Sequence, residues 1–77
     1  MLYIILMKII FTLHAEKQIL ERKFEKVWIE ETIKTPDEIK RKGEKYYARK
    51  KLNGFTLKVV YAKEKYIKII TTYMVRP

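Results

Sequence analysis

The sequence predicts an α+β domain: an N-terminal strand, two helices, then an antiparallel meander of three or four strands. Three observations predict it. Residues 2–12 are nearly all apolar and rich in β-branched side chains, the composition of a strand covered on much of both faces. Residues 13–34 place apolar side chains at helical spacing. After Pro36 the period changes to two, with Asn53-Gly54 as its clearest turn signal.

The elements follow in order. Thr12 is suited to cap the first helix, its hydroxyl accepting a hydrogen bond from a free first-turn amide. Leu13, Leu20 and Phe24 form an apolar stripe with Ile19 beside it, and His14, Gln18 and Arg22 lie on a flank. A second helix over residues 26–34 buries Ile29 and Ile33 with Trp28 at its edge, and Glu30 and Lys34 have the favourable i,i+4 order. Pro36 ends it, because a residue before proline is pushed out of helical geometry. A short strand near Ile39 is expected to pair with the one holding Tyr46 to Leu52.

A type I′ turn at Asn53-Gly54 pairs Leu52 with Phe55. Tyr46, Ala48, Lys50 and Leu52 then share the core face with Phe55, Leu57, Val59 and Tyr61. Tyr47, Arg49, Lys51, Thr56, Lys58, Val60 and Ala62 share the other. For the last hairpin, a loop over residues 63–65 pairs Ala62 with Tyr66 and keeps lysine off the core face. That register sends Ile67, Ile69, Thr71, Tyr73 and Val75 inward, and Tyr66, Lys68, Ile70, Thr72 and Met74 outward. Lys58 then lies across from Ile70, and Tyr47, Val60 and Lys68 form the neighbouring row.

Seventy-seven residues correspond to one domain, over residues 1–77. Met7 is an alternative start, which makes residues 1–6 dispensable in this reading. The opening apolar run is too short to span a bilayer and lacks the cationic start and cleavage site of a targeting peptide, so no membrane partner is expected. With no cysteine, disulfides and thiolate metal sites are excluded and a reducing, cytoplasmic compartment fits. Abundant Lys, Glu and Ile also suit a heat-adapted source.

Charge narrows the function. The net charge is +9, and residues 40–58 hold eight cations against Glu44 alone, so that window carries +7 of it. A concentrated basic segment suits a polyanion, either nucleic acid or an acidic protein, although lysine-rich surfaces also serve solubility alone. One histidine and no cysteine provide no transition-metal cluster. The acidic pairs Glu30-Glu31 and Asp37-Glu38 do not form a two-metal site, no glycine-rich phosphate loop occurs, and the chain has no serine. No cofactor is implied.

What remains is a basic, aromatic sheet face. Cations neutralise phosphates and tyrosines stack on unpaired bases, so Tyr47, Arg49, Lys51, Lys58 and Lys68, with Arg76 near the chain end, are candidate ligands for single-stranded RNA. Metal-free RNA cleavage requires one group to take a proton from the ribose 2′-hydroxyl, another to protonate the leaving oxygen, and a cation to hold the transition-state charge. His14 suits either proton transfer, since histidine titrates near neutrality. Tyr61, Tyr73 or a lysine is its candidate complement, and Arg22, Arg49 or Arg76 the candidate phosphate ligand. A lone histidine after a strand equally suits a structural role at the helix start.

"FTLHA", "ER" at residues 21–22, a second helix running into "TPDEI", and the closing "GFTLKVVYAKEKYIKIITTY" resemble a family of small uncharacterised domains. Its members read as a strand ending in Ser/Thr-x-His-Ala, an Arg one helix later, a Pro-Asp/Glu turn and a closing β-hairpin. They are grouped with the RelE and BrnT toxins of toxin–antitoxin systems. The resemblance spans about residues 8–74 and implies a RelE/BrnT-like α+β domain. By that resemblance the function is a metal-independent endoribonuclease, an mRNA interferase, with an acidic antitoxin as protein partner. The pattern carries onto Thr12, His14, Ala15, Arg22, Pro36 and Thr72-Tyr73, which makes His14, Arg22 and Tyr73 the candidate catalytic set. Where the family usually has glycine after its Arg, this chain has Lys23. A non-catalytic nucleic-acid-binding module and an interaction domain for an acidic protein are the alternatives.

Overall fold

The structure, a computed structural model, describes residues 8–75. It is α+β, with two helices on one face of a five-stranded mixed sheet. The order is β1 (Ile9–Phe11), α1 (Leu13–Arg22), α2 (Lys26–Lys34), β2 (Glu38–Lys42), β3 (Lys45–Leu52), β4 (Phe55–Lys63) and β5 (Ile67–Val75). In space the strands run β1-β5-β4-β3-β2. The meander β2 to β5 is antiparallel as expected, but β1 joins β5 in parallel, Ile9 beside Ile67 and Phe11 beside Ile69. The sheet is therefore mixed rather than antiparallel. The two helices between β1 and the meander carry the chain across the sheet, so β1 lies in the same direction as the strand it meets.

Local chemistry sets both helix ends. Thr12 Oγ1 accepts from the Ala15 amide at 3.1 Å, capping α1 as expected. At the other end Lys23 is left-handed, with φ 57° and ψ 41°, and Phe24 N donates to Ile19 O at 3.0 Å. Glycine is the residue that adopts this conformation without a Cβ penalty. Lys23→Gly is expected to raise stability by about 0.5–1 kcal/mol in urea denaturation; an unchanged or lower midpoint would contradict this. At the end of α2, Lys50 reaches from the core side of β3 to the carbonyl and hydroxyl of Thr35, at 2.9 and 3.1 Å. The cation thereby meets the carbonyl end of the helix.

The core lies between helices and sheet. α2 buries Ile29 and Ile33 with Trp28 half-buried, as its spacing predicts. α1 departs from expectation: Ala15, Ile19 and the following Phe24 are buried, whereas Leu13 and Leu20 are 88% and 78% exposed. Leucine hydropathy gave the wrong phase, because tight packing of α1 on β5 is served by small Ala15. Lys26 pairs with Glu16 at 3.3 Å, tying the two helices together. Ala48, Leu57, Val59 and Tyr61 supply the sheet side, as parity predicts. Tyr61 stacks on Tyr46 with ring centres 5.3 Å apart, and burial, with Tyr46 beside it, pushes the Tyr61 phenol pKa up.

The Asn53-Gly54 turn is not type I′. Only Gly54 has positive φ, at 84°, the pattern of type II, yet Leu52 and Phe55 still pair. The last hairpin also shifts. Lys63 pairs with Ile67, Ala62 with Lys68 and Tyr61 with Ile69, so residues 64–66 form the loop. Then β5 bulges: Tyr61 faces Ile69 but Val60 faces Thr71, leaving Ile70 unpaired. Beyond Ile70 every side chain changes face, so Thr72 and Met74 turn to the core and Thr71, Tyr73 and Val75 turn away.

Residues 1–6, Met7 and Arg76 lie outside the described residues. Among the described residues no helix is long and apolar enough to cross a membrane.

Candidate nucleic-acid interface

Residues paired across neighbouring strands project to the same side of a sheet. Arg49 pairs with Lys58, and Tyr47 with Val60, so all four lie on the side away from the helices. On β2, Glu38 pairs with Arg49, Lys40 with Tyr47 and Lys42 with Lys45. On β5 the bulge sets Tyr73 against Lys58, correcting the expected Lys58–Ile70 neighbours, and Thr71 rather than Lys68 completes the Tyr47–Val60 row. The paired strand positions of this open face thus present Lys40, Lys42, Lys45, Arg49, Lys51, Lys58 and Lys68, with Glu38 as their counter-charge.

The centre of the face is a groove of about 340 Å³, open to solvent. Val60 at 7% exposure gives it an apolar base, and Tyr47 and Tyr73, at 39% and 37%, present their rings beside it. Lys40, Lys42, Arg49 and Lys58 line it with Glu38. Arg49 Nη2 donates to Glu38 Oε1 at 2.6 Å, and Lys40 Nζ stands 4.0 Å from Glu38 Oε2. The pair is half-exposed, so it contributes little stability; its consequence is that the guanidinium is held in one orientation. Lys58 Nζ lies 5.9 Å from the centre of the Tyr73 ring, at cation–π range. The groove therefore joins cationic side chains to aromatic faces, with the Tyr73 ring beside Lys58.

The other candidates are dispersed. Lys51 lies on the open face at the Asn53-Gly54 end, opposite Thr56, and Lys68 at the far end beside Ala62. His14 and Arg22 are exposed in the first and last turns of α1. That helix packs on the other side of the sheet through Ala15 and Ile19, and neither His14 nor Arg22 lines the groove. Tyr61 belongs to the core. Among the described residues, no group of three His, Asp or Glu side chains is placed to hold a metal ion.

Sequence reasoning did not place Glu38, Lys40 and Lys42 in the groove. The signal was Gly43, whose φ of 62° supports a two-residue turn with Glu44. Counting outward from that turn sets Lys40 against Tyr47 and Glu38 against Arg49.

Comparison with curated proteins and with solved structures gives no significant match. Residues 11–74 match the family described as a domain of unknown function, DUF4258. That span runs from the end of β1 almost to the end of β5 and takes in both helices and the whole groove, so the chain belongs to the DUF4258 family.

Proposed function

We propose that this domain binds single-stranded RNA across its open sheet face. The observation that carries the reading is the convergence of Tyr47, Tyr73, Arg49, Lys40 and Lys58 on one groove. Single-stranded nucleic acid is held by cations that follow its backbone and aromatic rings that accept its bases, and a duplex cannot offer bases to those rings. If the four groove cations each meet a phosphate, log affinity falls with log salt at a slope of about −3. Fluorescence anisotropy with a labelled eight-nucleotide RNA over a salt series measures this. A slope near zero, or equal affinity for a duplex, would count against the groove.

One observation favours a further step, RNA cleavage of the kind RelE-type toxins perform. The bulge places the Tyr73 phenol beside Lys58 in the groove. In such a reaction the ribose 2′-oxygen attacks the adjacent phosphorus, the bond to the 5′-oxygen breaks, and a 2′,3′-cyclic phosphate remains. Glu38, the groove's carboxylate, would take the proton of the attacking 2′-hydroxyl, Tyr73 would protonate the departing 5′-oxygen, and Lys58 and Arg49 would bind the charge that builds on phosphorus. His14 stands outside this arrangement, so incubation of RNA with protein in EDTA distinguishes the residues. Under this reading Tyr73→Phe abolishes cyclic-phosphate product and His14→Ala does not. Binding without product would leave an RNA-binding module. In a toxin–antitoxin setting, an acidic protein covering the same cations would exclude RNA from the groove.

A further inference from the structure

The bulge that brings Tyr73 into the groove is clamped along the edge of β5, beyond the end of β1, by side chains of α1 and its N-cap. Where β5 leaves its ladder, Ile70 has no partner on β4. Pairing with β1 also ends at Ile69, so the backbone groups on that edge of β5 require partners other than a strand. α1 supplies them. Gln18 Oε1 accepts from the Thr72 amide at 2.9 Å and from the Thr71 hydroxyl at 2.9 Å. The Thr12 hydroxyl donates to the Ile70 carbonyl at 3.3 Å, and the Thr12 amide donates to Ile69 O at 3.1 Å. Thr72 is fully buried, with its amide covered by the Gln18 carbonyl.

Without the extra residue, alternation would send Tyr73 toward the helices and Thr72 into the groove. We infer that Gln18, assisted by Thr12, is a positioning residue for the groove: it holds the Ile70 bulge and thereby fixes Tyr73 beside Lys58. The inference deepens the RNA-binding reading, and its RNA arm rests on that reading. It also gives the Thr12 of the Thr-x-His-Ala segment a role that does not need His14 to touch RNA.

Both groups on Gln18 Oε1 are donors, which defines the test. Gln18→Met keeps the side-chain length and removes the acceptor; Gln18→Glu keeps the acceptor. The first readout is the NMR contact between the Tyr73 ring and the Lys58 side chain. It is expected to vanish in Gln18→Met and to persist in Gln18→Glu. The second is affinity for the eight-nucleotide RNA, expected to fall about tenfold in Gln18→Met, on the scale of one lost stacking contact. The double variant Gln18→Met/Tyr73→Ala is expected to bind no more weakly than Tyr73→Ala alone, a result that general destabilisation would not produce.

Full retention of the Tyr73–Lys58 contact in folded Gln18→Met would overturn the clamp, as would additive losses in the double variant. Should Gln18→Met not fold, hydrogen exchange in the unaltered protein decides: a Thr72 amide as slow as that of Val59 supports the clamp, and a fast one refutes it. If the unaltered protein binds no RNA, the RNA reading fails while the ring contact still judges the clamp.

Discussion

Replacing Lys40 and Lys58 together by glutamate is expected to lower the affinity for single-stranded RNA about a hundredfold or more. Both lysines line the groove, one on β2 opposite Tyr47 and one on β4 opposite Arg49 and Tyr73. On the RNA-binding reading this removes two phosphate contacts, and the new carboxylates join Glu38 in repelling the backbone. Lys17→Glu/Lys34→Glu changes net charge equally on the helical layer and provides the control. Its effect should stay within about threefold, because exposed charges farther away than a Debye length are screened. Anisotropy at fixed salt compares the two, with thermal melts showing that both remain folded. Equal losses would mean that RNA responds to total charge and not to this groove.

The largest stability effect is expected at Ile69. Its side chain is fully buried in the cluster with Ile29, Leu57 and Val59. It is also where three elements meet, since it pairs with Phe11 of β1 and Tyr61 of β4 and its carbonyl receives the Thr12 amide. Ile69→Ala should cost about 3–4 kcal/mol through lost burial and a cavity that three elements cannot all relax into. Small domains hold only about 0.05–0.15 kcal/mol per residue, so most of the stability is at stake. Urea denaturation measures it, with Ile10→Ala as the comparison at a position 38% exposed on the open face. The Ile10 variant should lose less than about 1 kcal/mol. An Ile69→Ala loss as small as that would show that β1 and α1 adjust independently of β5.

How much of this was legible in the sequence varies by element. Helix α2 was, because Ile29 and Ile33 lie one turn apart and Pro36 follows. The β3–β4 pairing was legible too, although the turn type was wrong: alternation on both strands fixes Leu52 opposite Phe55 whichever turn joins them. The buried side of α1 was not, since Ala15 carries almost no hydropathy signal and two leucines point to solvent. The bulge was hidden in "IKIITTYMV", where doubled isoleucine and doubled threonine satisfy either face. It was fixed by Thr12 and Gln18, more than fifty residues away in the chain. The candidate site divided along the same line. Tyr47, Arg49 and Lys58 followed from strand parity, whereas Tyr73 required the bulge, and His14 and Arg22 required knowing which side of the sheet α1 covers.

The parallel seam between β1 and β5 sets an order of assembly. Ile9 and Phe11 are among the first described residues to be synthesised, and their partners Ile67 and Ile69 among the last. A growing chain can form the β2–β3 and β3–β4 hairpins from near neighbours, but β1 has no strand to join until β5, the last described strand, has been made. During that interval an apolar segment waits unpaired on the ribosome, the stage at which hydrophobic strands are most prone to associate with other chains. The Tyr73 groove shares that delay, because its bulge lies on the same final strand. Completion of the groove and burial of β1 are therefore expected to be late events of one kind, coupled through β5.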